Sequence, residues 1–321
     1  MHETGPAAEV LRLVAEAANL NVTDLTVVPA AGIGSTNRNW IVSHGGDRYF
    51  LREYRWPFDG PDDLDRPEKE AWLGDLLRSR GVPAPRELCR VNTAGSVASL
   101  STFMPGRHLG DIPVTCASAW ESAGRVLARI HGIRIGRSDQ AGMIAGRSVR
   151  PFTEGSWGRW QAANAVAHAN AVAGRGGYPV DPELVGRVYR KAIPFLDRRP
   201  VRLLHNDPHP WNVLVDRVGS RWQCTGWLDW EFAWAGDPAW DIARLDIFRL
   251  KDIGPTPESF TRGYGSRRVP VVSELYTFAL TLWMSNQAAA GDQLLLPTYQ
   301  NADTYLATAD QTLAGLDRQL T

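Results

Sequence analysis

The apolar residues of the first hundred positions alternate between helical and strand spacing. An apolar residue recurs every three or four positions between Ala7 and Asn19, which predicts an amphipathic helix. A second helix is predicted from Pro67 to Arg80, because proline favours the first turn and a glycine stop follows. Short β-like runs fill the rest: Leu25–Val28, Asn39–Val42, Arg48–Tyr54, Leu88–Val91 and Val97–Phe103. We therefore predict a five-stranded sheet with one crossing helix.

The remainder of the chain predicts mainly helices. Apolar residues from Trp120 to Ile130 repeat at helical spacing and end at Gly132. Further helices are predicted at Trp157–Ala173, Pro182–Leu196, Trp240–Leu250, Val272–Ala290 and Thr304–Leu320. Between them, apolar residues on both sides of the polar run His205–Asn212 predict a loop between two short strands. A further strand, Gln223–Leu228, leads to Asp229.

Composition limits the class of partner. The chain has 321 residues, 44% of them apolar, and its 35 basic and 35 acidic residues give a net charge of zero. This balance favours neither nucleic acid nor an anionic membrane, so we expect a small-molecule partner. Three widely spaced cysteines predict reduced thiols, and no signal-like or membrane-spanning run is seen, so a cytoplasmic location is expected.

The polar loop carries the residue types that phosphoryl transfer needs. Moving a γ-phosphoryl group onto a hydroxyl requires a carboxylate that accepts the hydroxyl proton, and Asp207 is the candidate base. It also requires oxygen ligands for Mg²⁺, and Asn212 and Asp229 are the candidates. Alternatively, His205, Asp207 and His209 suit a zinc hydrolase, although only Cys224 offers a further ligand nearby.

A glycine-containing hairpin near residue 34 is a candidate phosphate-binding loop. Its backbone N–H groups, including that of Gly34, can lie against phosphate oxygens, and Ser35, Thr36 and Asn37 add side-chain donors. A plain turn is the alternative, because glycines in hairpins often serve only the turn.

Three motifs in order resemble a known family. His205–Asn212 resembles the kinase loop H-x-D-x-x-x-x-N, and Leu228–Glu231 and Gly236–Asp241 follow it. Together they resemble the aminoglycoside phosphotransferase and choline kinase family of small-molecule kinases. The resemblance implies an α+β, two-lobed protein-kinase-like fold. A small antiparallel-sheet N-terminal lobe would span 1–105, and a larger, mainly helical C-terminal lobe with the acceptor pocket would span 106–321.

The resemblance also implies roles for residues outside the loop. Arg52 takes the place of the lysine that clamps the nucleotide phosphates, and Glu70 is its ion-pair partner. Backbone groups of Thr102 to Met104 would meet the purine. The alternatives are an edge-strand surface arginine and a solvated helix glutamate. In the same family His205 is structural, and the second aspartate of Gly236–Asp241 braces the loop.

The function implied is a Mg²⁺-dependent kinase that moves phosphate from ATP or GTP to a hydroxyl of a small molecule. An antibiotic or other natural product is the expected acceptor, giving resistance or self-protection. A metabolite kinase of the choline, homoserine or sugar type is one alternative, and a non-catalytic ligand-binding protein is another.

Two residues depart from the family pattern. Asn206 stands where glycine is common, and Trp211 stands where a small residue is common. Trp211 either stacks on a bound ring or fills the space behind the loop, and we favour the second interpretation.

Overall fold

The structure is a computed structural model. It describes residues 5–30, 37–55, 66–93, 96–136, 140–174, 180–252, 256–265, 270–289, 315–316 and 319. Within these ranges, no helix combines the length and apolarity needed to cross a membrane.

The first part of the chain forms an antiparallel sheet with two helices. Its elements are α1 (Ala8–Ala17), β1 (Thr26–Pro29), β2 (Arg38–His44), β3 (Asp47–Arg55), α2 (Arg66–Ser79), β4 (Glu87–Asn92) and β5 (Ser96–Thr102). The sheet has five strands in the order β1-β2-β3-β5-β4, and all neighbours are antiparallel. Every strand lies within two residues of its predicted bounds, so the predicted sheet is confirmed.

The two faces of this sheet serve different purposes. Val10 and Val14 of α1 pack on one face, against Trp40 and Leu51. Because side chains alternate along a strand, Arg52 points to the opposite face, where α2 lies. Because the other face of the sheet is buried under α1, the Arg52 side chain lies on the face that α2 covers.

The second part is mainly helical, as predicted, with short strands between the helices. Its elements are β6 (Arg107–His108), α3 (Ala117–Ile130), β7 (Gly142–Ala145), β8 (Ser148–Pro151), α4 (Trp157–Ala173), α5 (Pro182–Leu196), β9 (Arg202–Leu204), β10 (Val213–Val218), β11 (Arg221–Trp227), β12 (Trp234–Gly236), α6 (Ala239–Asp252), α7 (Glu258–Tyr264) and α8 (Pro270–Ala289). Most of the predicted helix Thr304–Leu320 lies outside the described residues.

The strands predicted beside the polar loop and before Asp229 are present as β9, β10 and β11, whereas the strands β6, β7, β8 and β12 and helix α7 were not predicted. These strands form two small sheets, one with the order β11-β10-β6 and the other with the order β8-β7-β12-β9. The β7-β8 hairpin turns at Gly146, whose φ is +53°. The four strands that were not predicted have two to four residues each, which is too short to show a two-residue period.

A shared core joins α2 to the second part. Leu73 and Leu77 of α2 belong to the same buried cluster as Trp120 of α3 and Trp227 of β11. All four side chains are fully buried. The helix that carries Glu70 is thus packed against the strand that leads to Asp229.

Candidate active site

The predicted catalytic loop lies between β9 and β10, and its backbone is hydrogen-bonded to a side chain of α6. The backbone N–H groups of His205 and Asn206 donate to the two carboxylate oxygens of Asp241, at 2.7 and 2.9 Å. Asn206 has φ +60°, and its Oδ1 accepts a 2.8 Å hydrogen bond from Trp240 Nε1. This left-handed backbone accounts for glycine being common here, and asparagine is one of the few other residues that tolerate it. The expected brace by Asp241 is present.

His205 has a structural environment. One of its ring nitrogens, Nε2, lies 2.7 Å from the Leu228 carbonyl oxygen, to which it donates, and Nδ1 accepts from the Asp207 N–H at 3.3 Å. The residue is completely buried. With both ring nitrogens engaged, His205 offers no ligand atom to zinc, which removes it from the alternative hydrolase site.

Asp207 and Asn212 are in direct contact across the loop. Asn212 Nδ2 donates to Asp207 Oδ2 at 2.9 Å and to the Asp207 backbone oxygen at 3.0 Å. The amide therefore orients the carboxylate of the candidate base. It also leaves Asn212 Oδ1 as the atom that can face a metal ion.

The hairpin of β10 and β11 brings Asp229 to the same place. Val213 pairs with Trp227, and the Leu228 N–H donates to the Asn212 oxygen at 2.8 Å. Asp229 follows with φ +64°. The left-handed turn directs its carboxylate toward the sheet of the first part, where it meets Arg52 at 3.1 Å.

Arg52 connects two other predicted site residues. Its Nη1 lies 2.7 Å from Glu70 Oε1 and 3.1 Å from Asp229 Oδ1. Tyr54 also donates to Glu70, at 2.8 Å. Burial alone lowers the pKa of Arg52, but the carboxylates of Glu70 and Asp229 outweigh it and raise that pKa well above its ordinary value. Arg52 is thus a permanent cation at the junction of the two parts, and the surface-arginine alternative does not describe it.

Glu231 is a site residue that the sequence reasoning missed. Its Oε2 accepts from Arg66 at 3.0 Å and from Asn37 at 3.2 Å, and Lys69 donates to its backbone oxygen. Burial, reinforced by the nearby Asp229 charge, raises the pKa of its carboxyl above the ordinary range. The available signal was a second acidic residue two positions after Asp229 in the same motif.

The acidic residues of this site fit a hard cation. Oxygen atoms of Glu70, Asp229 and Glu231 all lie within 4.8 Å of one another. Carboxylate and amide oxygens are the ligands that Mg²⁺ prefers, and Asn212 Oδ1 adds a neutral one. The donor chemistry therefore matches magnesium, in a wider acidic group than the predicted pair of Asn212 and Asp229.

Of the predicted phosphate loop, Asn37 can be placed. Gly34, Ser35 and Thr36 lie outside the described residues. Asn37 follows them and donates to Glu231 Oε2 at 3.2 Å, so Asn37 itself lies beside the acidic group.

One of the backbone groups predicted to contact the purine is already hydrogen-bonded within the protein. The Thr102 N–H donates to the Arg86 oxygen at 2.9 Å, so this backbone group is already used, and the carbonyl is the other backbone group of Thr102. Met104 lies beside Gly226, where a Cβ would be 3.3 Å from the Met104 methyl group. Thr225 Oγ1 of β11 donates to the Pro105 oxygen at 2.8 Å, so the segment that follows Met104 is hydrogen-bonded to β11.

Trp211 packs behind the loop. A Cβ at Gly110 would lie 2.5 Å from its indole ring, so the ring rests directly on that glycine. His108 Nδ1 donates to the Trp211 oxygen at 2.6 Å, and the His209 ring lies 4.8 Å away. These contacts support the space-filling interpretation.

Comparison with known protein families finds one that matches most of the chain. A family model described as the phosphotransferase enzyme family matches residues 27–271. No curated protein sequence matches the chain significantly.

Several solved structures are similar over nearly the whole chain. A thermostable mutant of the aminoglycoside phosphotransferase APH(4)-Ia, in a ternary complex with ADP and hygromycin B, is 18% identical over 98% of both chains, with a TM-score of 0.65. A microcompartment-associated aminopropanol kinase is 18% identical over 97% of both, with a TM-score of 0.61. The GDP complex of wild-type aminoglycoside 2'-phosphotransferase-IIIa is 15% identical over 98% of this chain and 100% of that chain, with a TM-score of 0.61. The two-lobed kinase-like fold is thereby confirmed.

Proposed function

We propose that this chain, which belongs to the phosphotransferase enzyme family, transfers the γ-phosphate of a nucleoside triphosphate to a hydroxyl of a small molecule. The family and its kinase fold are established, whereas the acceptor and the metal are part of the proposal. One observation carries it: the carboxylate of Asp207 is oriented by Asn212, at 2.9 Å, beside the junction where Asp229 meets Arg52.

Asp207 is proposed as the general base. With its Oδ2 held by Asn212, the carboxylate presents a fixed oxygen to an incoming hydroxyl and accepts its proton as the bond to phosphorus forms. Asp207 is partly exposed, which such an encounter requires. The brace from Asp241 keeps this geometry in place before substrate arrives.

The acidic group around Asp229 is proposed to hold Mg²⁺, with Asn212 as a neutral ligand. When bound, the ion neutralises charge on the phosphate oxygens. Arg52 is proposed to contact the phosphates from the other lobe, kept in position by Glu70 at 2.7 Å. Because Nη1 already meets both carboxylates and Nε donates to Asn39 Oδ1 at 3.3 Å, Nη2 is the nitrogen proposed to meet phosphate.

The nucleotide is proposed to lie under the sheet, with ATP or GTP as donor. Gly34, Ser35, Thr36 and Asn37 would cover the phosphates. The carbonyl of Thr102 and the backbone of Met104 would meet the purine, with the lobe boundary near residue 105. Similar structures hold ADP or GDP, which supports a nucleotide without choosing the base.

An antibiotic or other natural product is the proposed acceptor, because antibiotic kinases are among the similar structures. A metabolite kinase of the choline, homoserine or sugar type is the second candidate, and the likeness to an aminopropanol kinase favours it specifically. No nucleic-acid or membrane partner is proposed, and the cytoplasmic location remains a prediction from the three free thiols.

Mass spectrometry tests the proposal against a non-catalytic binding protein. The purified chain is incubated with Mg²⁺, with ATP or GTP, and with a panel of hydroxylated antibiotics and metabolites. We expect one acceptor class to gain the mass of a single phosphate, and EDTA to abolish the gain. Nucleotide binding without transfer to any compound and without slow hydrolysis would instead support the binding protein.

A further inference from the structure

An arginine lies beside the candidate base on the side away from Asn212. Arg244 Nη2 is 3.8 Å from Asp207 Oδ1, whereas Asn212 occupies Oδ2. The two oxygens of the carboxylate therefore face different partners. An acceptor hydroxyl that reaches Asp207 must come close to Arg244.

The guanidinium of Arg244 is held against an aromatic ring. Arg244 lies on α6 and Trp283 on α8, and the guanidinium carbon is 4.6 Å from the centre of a Trp283 ring. Stacking of this kind restricts the orientation of the guanidinium plane. The Arg244 side chain is 12% exposed, so it is mostly shielded yet reachable at the site.

Arg244 lies on the helix that also holds the catalytic loop. Arg244 comes one helical turn after Asp241, whose carboxylate holds the backbone of the catalytic loop. The same helix therefore fixes both the loop and the cation beside it.

This arrangement has a consequence for the charge of the acceptor. A shielded guanidinium attracts carboxylate, phosphate or sulfate groups through short charge-assisted hydrogen bonds. It repels ammonium groups, and incomplete solvation strengthens both effects. Building on the proposed function, we propose that Arg244 and Trp283 form an acceptor subsite for a hydroxylated compound that carries an anionic group near the reacting hydroxyl, and that this subsite disfavours polycationic acceptors.

Charge selectivity tests the subsite more directly than total activity. Each probe set has one hydroxylated carbon skeleton that is supplied as an acid, as a neutral alcohol and as an amine. Gluconate, glucitol and 1-amino-1-deoxyglucitol form the first set, and shorter and cyclic skeletons form further sets. Hygromycin B serves as a polycation. We expect transfer to acids, with kcat/KM at least about tenfold above that of the matching amine. In Arg244→Gln this ratio should fall at least about tenfold, mainly through KM, while the neutral member changes less.

Matched variants separate the subsite from a positioning effect. Trp283→Phe keeps an aromatic ring and should retain the preference, whereas Trp283→Leu should weaken it. Arg262→Gln is the control, because that arginine is well exposed on α7. If Arg244→Gln lowers all three members of a set equally, Arg244 acts only on Asp207 and the subsite is overturned.

The same assays distinguish an absent subsite from an absent phosphotransferase activity. A wild-type preference for amines or hygromycin B, with normal phosphate transfer, overturns the subsite alone. Nucleotide hydrolysis without transfer to any acid also counts against it. Loss of both hydrolysis and transfer contradicts the proposed function itself, and the subsite falls with it.

Discussion

The carboxylate of Asp241 accepts a 2.7 Å hydrogen bond from the backbone N–H of His205, although the two residues lie 36 positions apart along the chain. Its other oxygen accepts from the Asn206 N–H at 2.9 Å, and His131 Nε2 lies 3.0 Å from Oδ2. Asp241 is fully buried. A helix-borne anion thus satisfies two buried N–H groups and fixes the turn from which Asp207 projects.

Asp241→Asn is expected to destabilise the protein. The change keeps the shape of the side chain but turns one acceptor into a donor that faces a backbone N–H group. We expect the free energy of unfolding to fall by about 2–4 kcal/mol, as measured by chemical denaturation. Asp216→Asn, at an exposed position, should cost less than about 0.5 kcal/mol. Equal effects in the two variants would remove the bracing role.

Asn206 should distinguish backbone strain from a side-chain hydrogen bond. Asn206→Gly relieves the φ of +60° but loses the bond to Trp240, so the two effects should nearly cancel. Asn206→Ala loses the bond and keeps the strain, and we expect it to cost about 1–2 kcal/mol more than the glycine variant. Thermal and chemical unfolding of both variants measures the difference. An alanine variant as stable as the glycine variant would disprove this account.

The linear motifs were predictable from sequence because local rules specify them. Helices α4 and α5 begin where predicted: Ser156 accepts from the Arg159 N–H, and Asp181 caps the helix that opens with Pro182. Asp207, Asn212 and Asp229 were found because their spacing along a loop and the next strand is itself the signal.

The contacts between distant segments were not predictable. Glu231 meets Arg66, and Arg244 meets Asp207, across separations of 165 and 37 residues along the chain. No local pattern encodes such a meeting, since it depends on how α2 and α6 pack. The same limit applies to Thr102, whose N–H is used by a neighbouring segment rather than by a nucleotide.

Arg52 and Glu70 should act as a coupled pair in nucleotide binding. Arg52→Lys keeps the charge but loses the fork that reaches Glu70, Asp229 and Asn39. We expect each of Arg52→Lys and Glu70→Gln to weaken nucleotide binding, and the double variant to lose less than the sum. Titration calorimetry of the four proteins in a double-mutant cycle gives the coupling, expected at about 1 kcal/mol or more. If the losses in binding free energy of the two single variants simply add in the double variant, Glu70 does not position Arg52 for phosphate binding.

Cys224 should resist modification in the folded protein. Burial raises the pKa of its thiol to about 12, so at pH 8 only about one molecule in ten thousand carries the reactive thiolate. Cys116 is partly exposed and provides the internal comparison. Alkylation at pH 8 followed by peptide mass spectrometry should label Cys116 much faster, and denaturant should remove the difference. Equal labelling in the native state would contradict the burial of Cys224.

The central claim is that Asp207 accepts the proton in phosphoryl transfer, and kinetics of Asp207→Ala and Asp207→Asn with the best acceptor test it most directly. We predict that kcat falls by about 10²–10⁴ in both variants while the dissociation constant for the Mg²⁺–nucleotide complex changes by less than about threefold. Asp216→Asn should retain full activity. Turnover within about threefold of the wild type in Asp207→Ala, with the protein folded and nucleotide bound, would contradict the account.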